Sequence, residues 1–312
     1  MKQYAFSEIF TSIQGEGEYT GVPTAWLRFF LCNLQCNGFG QIDPTNPDTY
    51  DLPYKDFDPS TVNRIEDLPV WKKGCDSSYS WSKKFKHLQY KKTAKEICDQ
   101  IQLDLTNEFN PTGTFLHPKS HIEQHMCFTG GEPLMKHAQE AAVEIIDEFK
   151  HRTGGIFKTG KTKASNQPEY ITWETNGTQE LTDDFIRFFN NPGLYHGELF
   201  FSVSPKLWTV AGEKPEKAIR PEMVTVYDWL SKGRGQLKFV VGDRPEQWDE
   251  VDDVVAKMRE AGVRYPVWIM PVGATEEDQQ ESAGRVADLA IKRGFNVSAR
   301  VHCYLWGNTI GV

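Results

Sequence analysis

Leu31-Cys32-Asn33-Leu34-Gln35-Cys36, taken up again by Cys75-Asp76-Ser77, is the stretch on which the fold turns. An apolar run, Thr24 to Leu31, leads into it and reads as a buried strand. Arg28 interrupts that run. A guanidinium inside such a strand must pair internally or grip the carboxylate of a ligand in a polar cavity, and the residues alone leave both readings open. Cys-x-x-x-Cys in the loop after a strand is a metal motif or a pair of buried thiols. Cys75 strengthens the first reading if Asn37 to Gly74 is an excursion. That segment is rich in Asp, Pro, Tyr and Asn and carries no helical or alternating pattern. Gly38, Gly40 and Gly74 stand where its ends would turn back and bring Cys75 near Cys36. Three thiolates leave one iron of an iron–sulfur cluster without a protein ligand, which is the arrangement of a reaction centre rather than of an electron carrier.

Outward from this loop, polar or Gly-rich clusters follow apolar runs. They are Thr129-Gly130-Gly131-Glu132-Pro133, Glu174-Thr175-Asn176-Gly177 and Ser202-Val203-Ser204-Pro205-Lys206, while Gln14-Gly15-Glu16-Gly17 lies earlier, where the glycines let backbone approach a ligand closely. Each also has a plain reading as a solvated turn. Together they have the rhythm of a site built from loops at one end of a parallel sheet. Thr93-Ala94-Lys95-Glu96 is a capping box, followed by Ala94, Ile97, Cys98, Ile101 and Leu105 at helical spacing. Cys98 on that apolar face and Cys127 inside the strand His125–Thr129 read as core thiols. His117, His121 and His125 are spread over a Pro-interrupted loop, and nothing fixes them on one face. A helix is expected from Pro133 onward with Ala138, Ala142, Ile145 and Phe149 inward. Further strands are expected at 170–173, 199–203, 236–241 and 267–270, with helices carrying Val251, Val254, Val255 and Met258 inward and running from Thr275 to about Gly294. Phe295, Val297, Ala299 and Val301 alternate as a last strand. The expectation is one α/β domain over 1–312, its mostly parallel sheet curved toward a partial (β/α) barrel, with an insertion at 37–74 inside the cysteine loop.

The 312 residues carry a net charge of −8, which argues against a general nucleic-acid or anionic-membrane surface. No apolar run is long enough for a membrane span, and MKQYAFSEIF lacks the pattern of a secretory signal. Six scattered cysteines do not make a disulfide scaffold, so a cytoplasmic, reducing setting is expected.

The motifs EIFTSIQGEGEYTGVP, WLRFFLCNLQC, CDS, FTGGEP, ETNG, SPK and MPVG, in this order over nearly the whole chain, resemble those of the radical S-adenosylmethionine (SAM) superfamily, and specifically of the 7-carboxy-7-deazaguanine synthase (QueE) family. The resemblance implies a partial (β/α) barrel, a homodimer, and a [4Fe–4S] cluster, SAM and Mg²⁺. It implies conversion of 6-carboxy-5,6,7,8-tetrahydropterin to 7-carboxy-7-deazaguanine with loss of ammonia, fed by a reductant such as flavodoxin or ferredoxin. Cys32, Cys36 and Cys75 match the cluster ligands. Gly130, Gly131, Glu132, Ser204, Pro205 and Lys206 match SAM positions, with Asp76 counted among the cofactor contacts. Ile13, Gln14, Gly15, Arg28 and Thr129 match substrate contacts. Ser77 stands at the Mg²⁺ position, where the family usually has Thr and a hydroxyl oxygen is kept. The family spaces its last two cysteines as Cys-x-x-Cys; here 38 residues intervene. Two rival readings are a glycyl-radical-type activating enzyme and a non-catalytic homologue that keeps the fold. A zinc protein using the same thiols lacks a fourth ligand.

Overall fold

The computed structural model describes residues 1–307 and 309–311. Its strands are β1 (Tyr4–Ile13), β2 (Pro23–Phe29), β3 (Tyr90–Lys92), β4 (His125–Gly130), β5 (Tyr170–Thr175), β6 (Glu198–Val203), β7 (Gly235–Val241), β8 (Val267–Pro271) and β9 (Asn296–Val297). They form one open sheet in the order β3-β1-β2-β4-β5-β6-β7-β8-β9. β1 is antiparallel to both its neighbours, and from β2 to β9 every pairing is parallel. The expected mostly parallel α/β architecture is therefore present, with β3 and β9 as free edges.

The two-residue period of a strand explains both faces of this sheet. Register places Leu27 beside Phe128, Phe128 beside Trp173 and Trp173 beside Phe201. These rings stack across the strands, Phe128 on Trp173 at 4.6 Å and Trp173 on Phe201 at 6.3 Å. Helices cover this apolar face, among them Lys136–Lys150 with Ala138, Ala142, Ile145 and Phe149 buried. One residue further along each strand, the parity reverses. Arg28 lies beside Thr129, Glu174 beside Ser202, and Ser202 beside Gln236, with Lys238 two residues on. A polar row thus runs across the other face, the floor of the candidate site.

Several expectations need correction. Tyr4–Ile13 is a strand not expected from the sequence, and Gln14–Gly17 follows it outside any strand. The helix after Gly130-Gly131 begins at Lys136, not Pro133, because Leu134 N–H is held by the Glu132 carboxylate at 2.9 Å and the chain makes an extra turn. The final strand is only Asn296–Val297, and Val301 opens a helix, Val301–Trp306. The capping box at Thr93 is formed, with both of its reciprocal hydrogen bonds, and opens the helix Ala94–Leu105. Cys98 and Cys127 are buried in the interior.

The segment 37–74 is not structureless. Pro47, Pro53 and Pro59 each start a short helical turn, Pro47–Thr49, Pro53–Asp56 and Pro59–Thr61, as proline's fixed φ favours. Leu52, Tyr54, Ile65, Leu68 and Trp71 pack with Tyr79, Phe85 and Leu88 into a second small core. The neck is closed by Gly74 N–H donating to Phe39 C=O at 2.8 Å. Gly40 sits at φ +68, where a Cβ would lie 2.3 Å from the Lys72 carbonyl oxygen. Gly40→Ala is expected to cost roughly 1–2 kcal/mol from the left-handed backbone alone and more from that clash. Limited trypsin digestion should show faster cleavage at Lys55 and Arg64, whereas Gly21→Ala, at φ +89 with open space around it, leaves those sites protected.

Candidate active site

β2 ends at Phe29, and the chain enters the cysteine loop through Leu31 at φ +91 and leaves it through Cys36 at φ +52. Backbone so strained must be held by its surroundings. Glu213 Oε1 accepts from Gln35 N–H at 2.6 Å and Cys36 N–H at 2.7 Å. Asn176 Nδ2 donates to Asn33 Oδ1 at 3.0 Å. Glu132 N–H donates to Leu31 C=O at 2.8 Å. Gly131 lies so close that a Cβ would sit 2.2 Å from the Leu31 oxygen and 2.9 Å from Cys32 Cβ, so only glycine fits.

Cys32, Cys36 and Cys75 all line one cavity of about 590 Å³ and none is in a disulfide. Leu34 N–H donates to Cys32 Sγ at 3.4 Å, and Asn176 Nδ2 lies 3.9 Å from the same sulfur. Burial, then the Glu132 charge, pushes the Cys32 thiol up to about 12. Burial likewise raises Cys36 and Cys75. Among the described residues no group of three or more His, Cys, Asp or Glu side chains is gathered tightly enough to hold a single ion. Three sulfurs around a common cavity suit a larger body, a cluster whose thiolates bind different irons. The N–H donors aimed at Cys32 suit a thiolate ligand as well. The donor set thus fits an iron–sulfur cluster. The three histidines of the 117–125 region form no such group; His125 instead stacks on the Tyr170 ring at 4.6 Å.

The other residues matched from the sequence fall around the same space. Gly130, Gly131, Ser204 and Lys206 line the cysteine cavity. Lys206 Nζ donates to Ser204 Oγ at 2.9 Å, while Pro205 is buried behind them. Ile13, Gln14 and Gly15 line a smaller adjoining cavity of about 180 Å³. Arg28, Asp76, Ser77 and Thr129 line both cavities and form the seam between them. Glu132 is the exception. Its carboxylate is fully buried, accepting from Leu134 N–H, from Thr175 Oγ at 2.7 Å and from Asn176 N–H at 2.8 Å. Burial pushes it up to about 7 against the pull of those donors. It positions the Glu174–Gly177 turn and does not face the cavity.

Arg28 takes the internal pairing, one of the two readings its position allowed. Its Nε donates to Glu8 Oε1 at 2.5 Å, and Tyr79 OH donates to the same oxygen at 2.9 Å. Its two terminal nitrogens make no hydrogen bond among the described residues, which leaves the fork available to a carboxylate. Glu8 stands directly opposite Arg28 in the β1–β2 register; the sequence reading missed it because it missed the strand.

The floor of the site is a chain of largely buried charges that ends at the part-exposed Asp76. Arg300 donates from Nη2 to Asp76 at 2.9 Å and from Nε to Glu16 at 3.0 Å. Lys238 Nζ bonds Glu16 at 2.5 Å and Glu174 at 2.8 Å. Gln14 Nε2 donates to Glu174 at 3.1 Å. The backbone also ties in, since Val301 N–H donates to Gly15 C=O at 2.9 Å and Gly17 N–H to Ser298 Oγ at 2.7 Å. Lys238, Arg300 and Glu213 were not found from the sequence. Lys238 carried the same signal as Arg28, a lone cation in an apolar strand.

No family model matches the chain. A 7-carboxy-7-deazaguanine synthase from Pyrobaculum aerophilum is 23% identical over 305 residues, covering 97% of this chain and 95% of its own. One from Rhodopirellula baltica is 26% identical over 318 residues, covering 98% and 87%. The chain is similar to 7-carboxy-7-deazaguanine synthases over nearly its whole length. The crystal structure of QueE from Escherichia coli covers 96% of this chain and 95% of its own at a TM-score of 0.48 and 17% identity.

Burial alone would raise the Glu16 carboxyl; Lys238 and Arg300 outweigh it and hold Glu16 well below its ordinary 4.5. Its stabilising contribution is therefore full above about pH 4.5 and drains as pH falls below that value. Lys238→Met leaves Glu16 and Glu174 buried with a lost partner and should cost about 3–5 kcal/mol at neutral pH in urea unfolding. The gap to the wild type should narrow below pH 4.5, because the variant has less Glu16-linked stability to lose.

Proposed function

We propose that the chain is a 7-carboxy-7-deazaguanine synthase of the radical SAM type. It would convert 6-carboxy-5,6,7,8-tetrahydropterin to 7-carboxy-7-deazaguanine with loss of ammonia. The observation that carries this reading is the seam: the cavity of the three cysteines opens, past Asp76, Ser77 and Thr129, onto the cavity of Gln14 and Arg28. A cluster held by Cys32, Cys36 and Cys75, with SAM, would supply reductive cleavage and hydrogen-atom abstraction at that seam.

The chain's own residues would do the rest. The backbone of Gly130 and Gly131, free of side chains, would let SAM approach the cysteine loop closely. Ser204 and Lys206 would hold its polar groups, with Pro205 fixing their turn. The Arg28 fork would bind the pterin carboxylate, while Ile13, Gln14 and Gly15 would fix the ring. Asp76 and Ser77 supply the oxygen donors that Mg²⁺ prefers. Arg300 orients Asp76 through the bond described above. Trp71 and Val70 of the 37–74 segment line the two cavities from above and would help exclude water. The radical SAM type of barrel, a homodimer and a protein reductant belong to the same reading.

The test is anaerobic. The chain is loaded with iron and sulfide, reduced, and given SAM, Mg²⁺ and 6-carboxy-5,6,7,8-tetrahydropterin. Mass spectrometry should find 5′-deoxyadenosine and 7-carboxy-7-deazaguanine. Cys75→Ala should abolish both and also lower bound iron and visible absorbance, a readout that does not depend on turnover. Deoxyadenosine without the deazaguanine would keep the chemistry and reject the substrate; neither product from iron-loaded protein would favour the non-catalytic homologue.

Arg28→Lys keeps a cation for Glu8 but loses the fork. Steady-state kinetics should show kcat/KM for the pterin falling roughly 10- to 100-fold, chiefly through KM. Iron content should stay at the wild-type level.

A further inference from the structure

Beyond Cys75 the chain makes two tight turns in succession. Ser78 N–H donates to Cys75 C=O at 3.1 Å, and Trp81 N–H donates to Ser78 C=O at 3.2 Å. In turns of this i→i+3 kind, side chains three residues apart eclipse. Cys75 and Trp81, six apart, therefore share a face, and both line the cysteine cavity. The Trp81 indole N–H is buried without a hydrogen-bond partner of ordinary geometry. Trp173 buries an unpaired N–H too, but within the aromatic stack of the core; Trp81 does so beside a sulfur. Burial, then the Asp76 charge, raises the Cys75 thiol, while the Ser77 hydroxyl and the Trp81 indole draw it back. A neutral thiol is a weak acceptor and a thiolate a strong one, so this donor comes fully into use when Cys75 ligates a metal. The indole is also held where it is. The Tyr54 ring meets it edge-on at 5.7 Å, and Tyr54 OH donates to Asn37 Oδ1, next to Cys36, at 3.1 Å.

Resting on the iron–sulfur site of the proposed function, we infer that Trp81 is a positioning residue for it: the indole N–H donates to the Cys75 thiolate and raises the potential at which the site accepts an electron. A hydrogen bond to a ligand sulfur withdraws electron density from the metal. The reduced state carries one more negative charge than the oxidised state, so it gains more from the donor. Cys32 has its own donors in Leu34 N–H and Asn176 Nδ2; Trp81 supplies the counterpart at the distant cysteine. The 37–74 segment then has a task besides excluding water, because its Tyr54 keeps the indole against Cys75.

The test uses the full chain, labelled with ¹⁵N at the indole nitrogen of tryptophan, loaded with iron and sulfide and reduced photochemically. Of the nine tryptophans, Trp71 and Trp81 line the cysteine cavity. Pulsed electron paramagnetic resonance of the reduced protein should show a ¹⁵N coupling that Trp71→Phe keeps and Trp81→Phe removes. Trp81→Phe retains a ring against Tyr54 and loses only the donor. In a potentiometric titration it should favour the oxidised state about tenfold more at any fixed potential, a midpoint lower by about 60 mV for one electron. Its bound iron should match the wild type. Absence of the coupling in the wild type, its survival in Trp81→Phe, or an unchanged midpoint in that variant would each overturn the proposal. If Trp81→Phe takes up no iron, the other two proteins decide: a coupling in both supports the proposal, and its absence from either overturns it. Failure of the wild-type chain to take up iron and sulfide at all would instead overturn the functional reading beneath it.

Discussion

The constraint on which this molecule depends is a line of five charges, Asp76, Arg300, Glu16, Lys238 and Glu174, of which all but the part-exposed Asp76 are largely withdrawn from water. Taking ions out of water costs several kcal/mol each, and their mutual attraction offsets that cost only if each partner is held at bonding distance. Here the partners come from far apart in the chain. Lys238 and Glu16 are 222 residues apart in sequence, and Arg300 and Asp76 are 224 apart. The network therefore forms only when the first strand's turn, the end of the cysteine loop, two central strands and the C-terminal segment are all in place. It is a weak source of net stability and a strong source of geometry. The charged floor stands ready before any ligand arrives, which is what electrostatic preorganisation requires.

The sheet makes this floor possible by dividing its labour by parity. Aromatic residues on one face stack from strand to strand beneath the helices, and the next residue along each strand is polar. A one-residue slip in any strand would move an aromatic ring into the site and a charge into the core, so the two faces fix each other's register. The cysteine loop is secured separately, from outside. Glu213 holds the backbone at Cys36, Asn176 holds Asn33, and Gly131 leaves room for Leu31 and Cys32. Its strained backbone is thus determined by hydrogen bonds and close packing independent of any metal.

This division also explains what could be read from the sequence. Strands β4 to β8, the capping box at Thr93, the core faces of the helices and the polar loops are local patterns, legible residue by residue. Glu8, Glu213 and Arg300 were not legible, because each acts through a partner that only register or a long-range contact supplies. Glu8 meets Arg28 across β1 and β2; Glu213 meets Cys36 from 177 residues away. Glu132 was misread in the opposite sense. Its place beside two glycines at the cavity suggested a ligand contact, yet three donors from its own loops and the Glu174–Gly177 turn capture it first. The prolines of 37–74 looked like an absence of pattern, although Pro47, Pro53 and Pro59 each start a helical turn.

That segment removes an apparent obstacle. A spacing of 38 residues between cysteines that share one site looks entropically unfavourable, but loop-closure cost grows only with the logarithm of length, about 0.6 kcal/mol per doubling. The excursion also does not hang free. Gly40 and Gly74 close its neck against Phe39 and Lys72, and its apolar side chains bury themselves with Tyr79, Phe85 and Leu88 from beyond Cys75. The side chains that order the excursion are therefore partly those that order the segment after it. Once this shared core forms, the distance between Cys36 and Cys75 is set by the neck, and the number of residues between them ceases to matter for the geometry of the site.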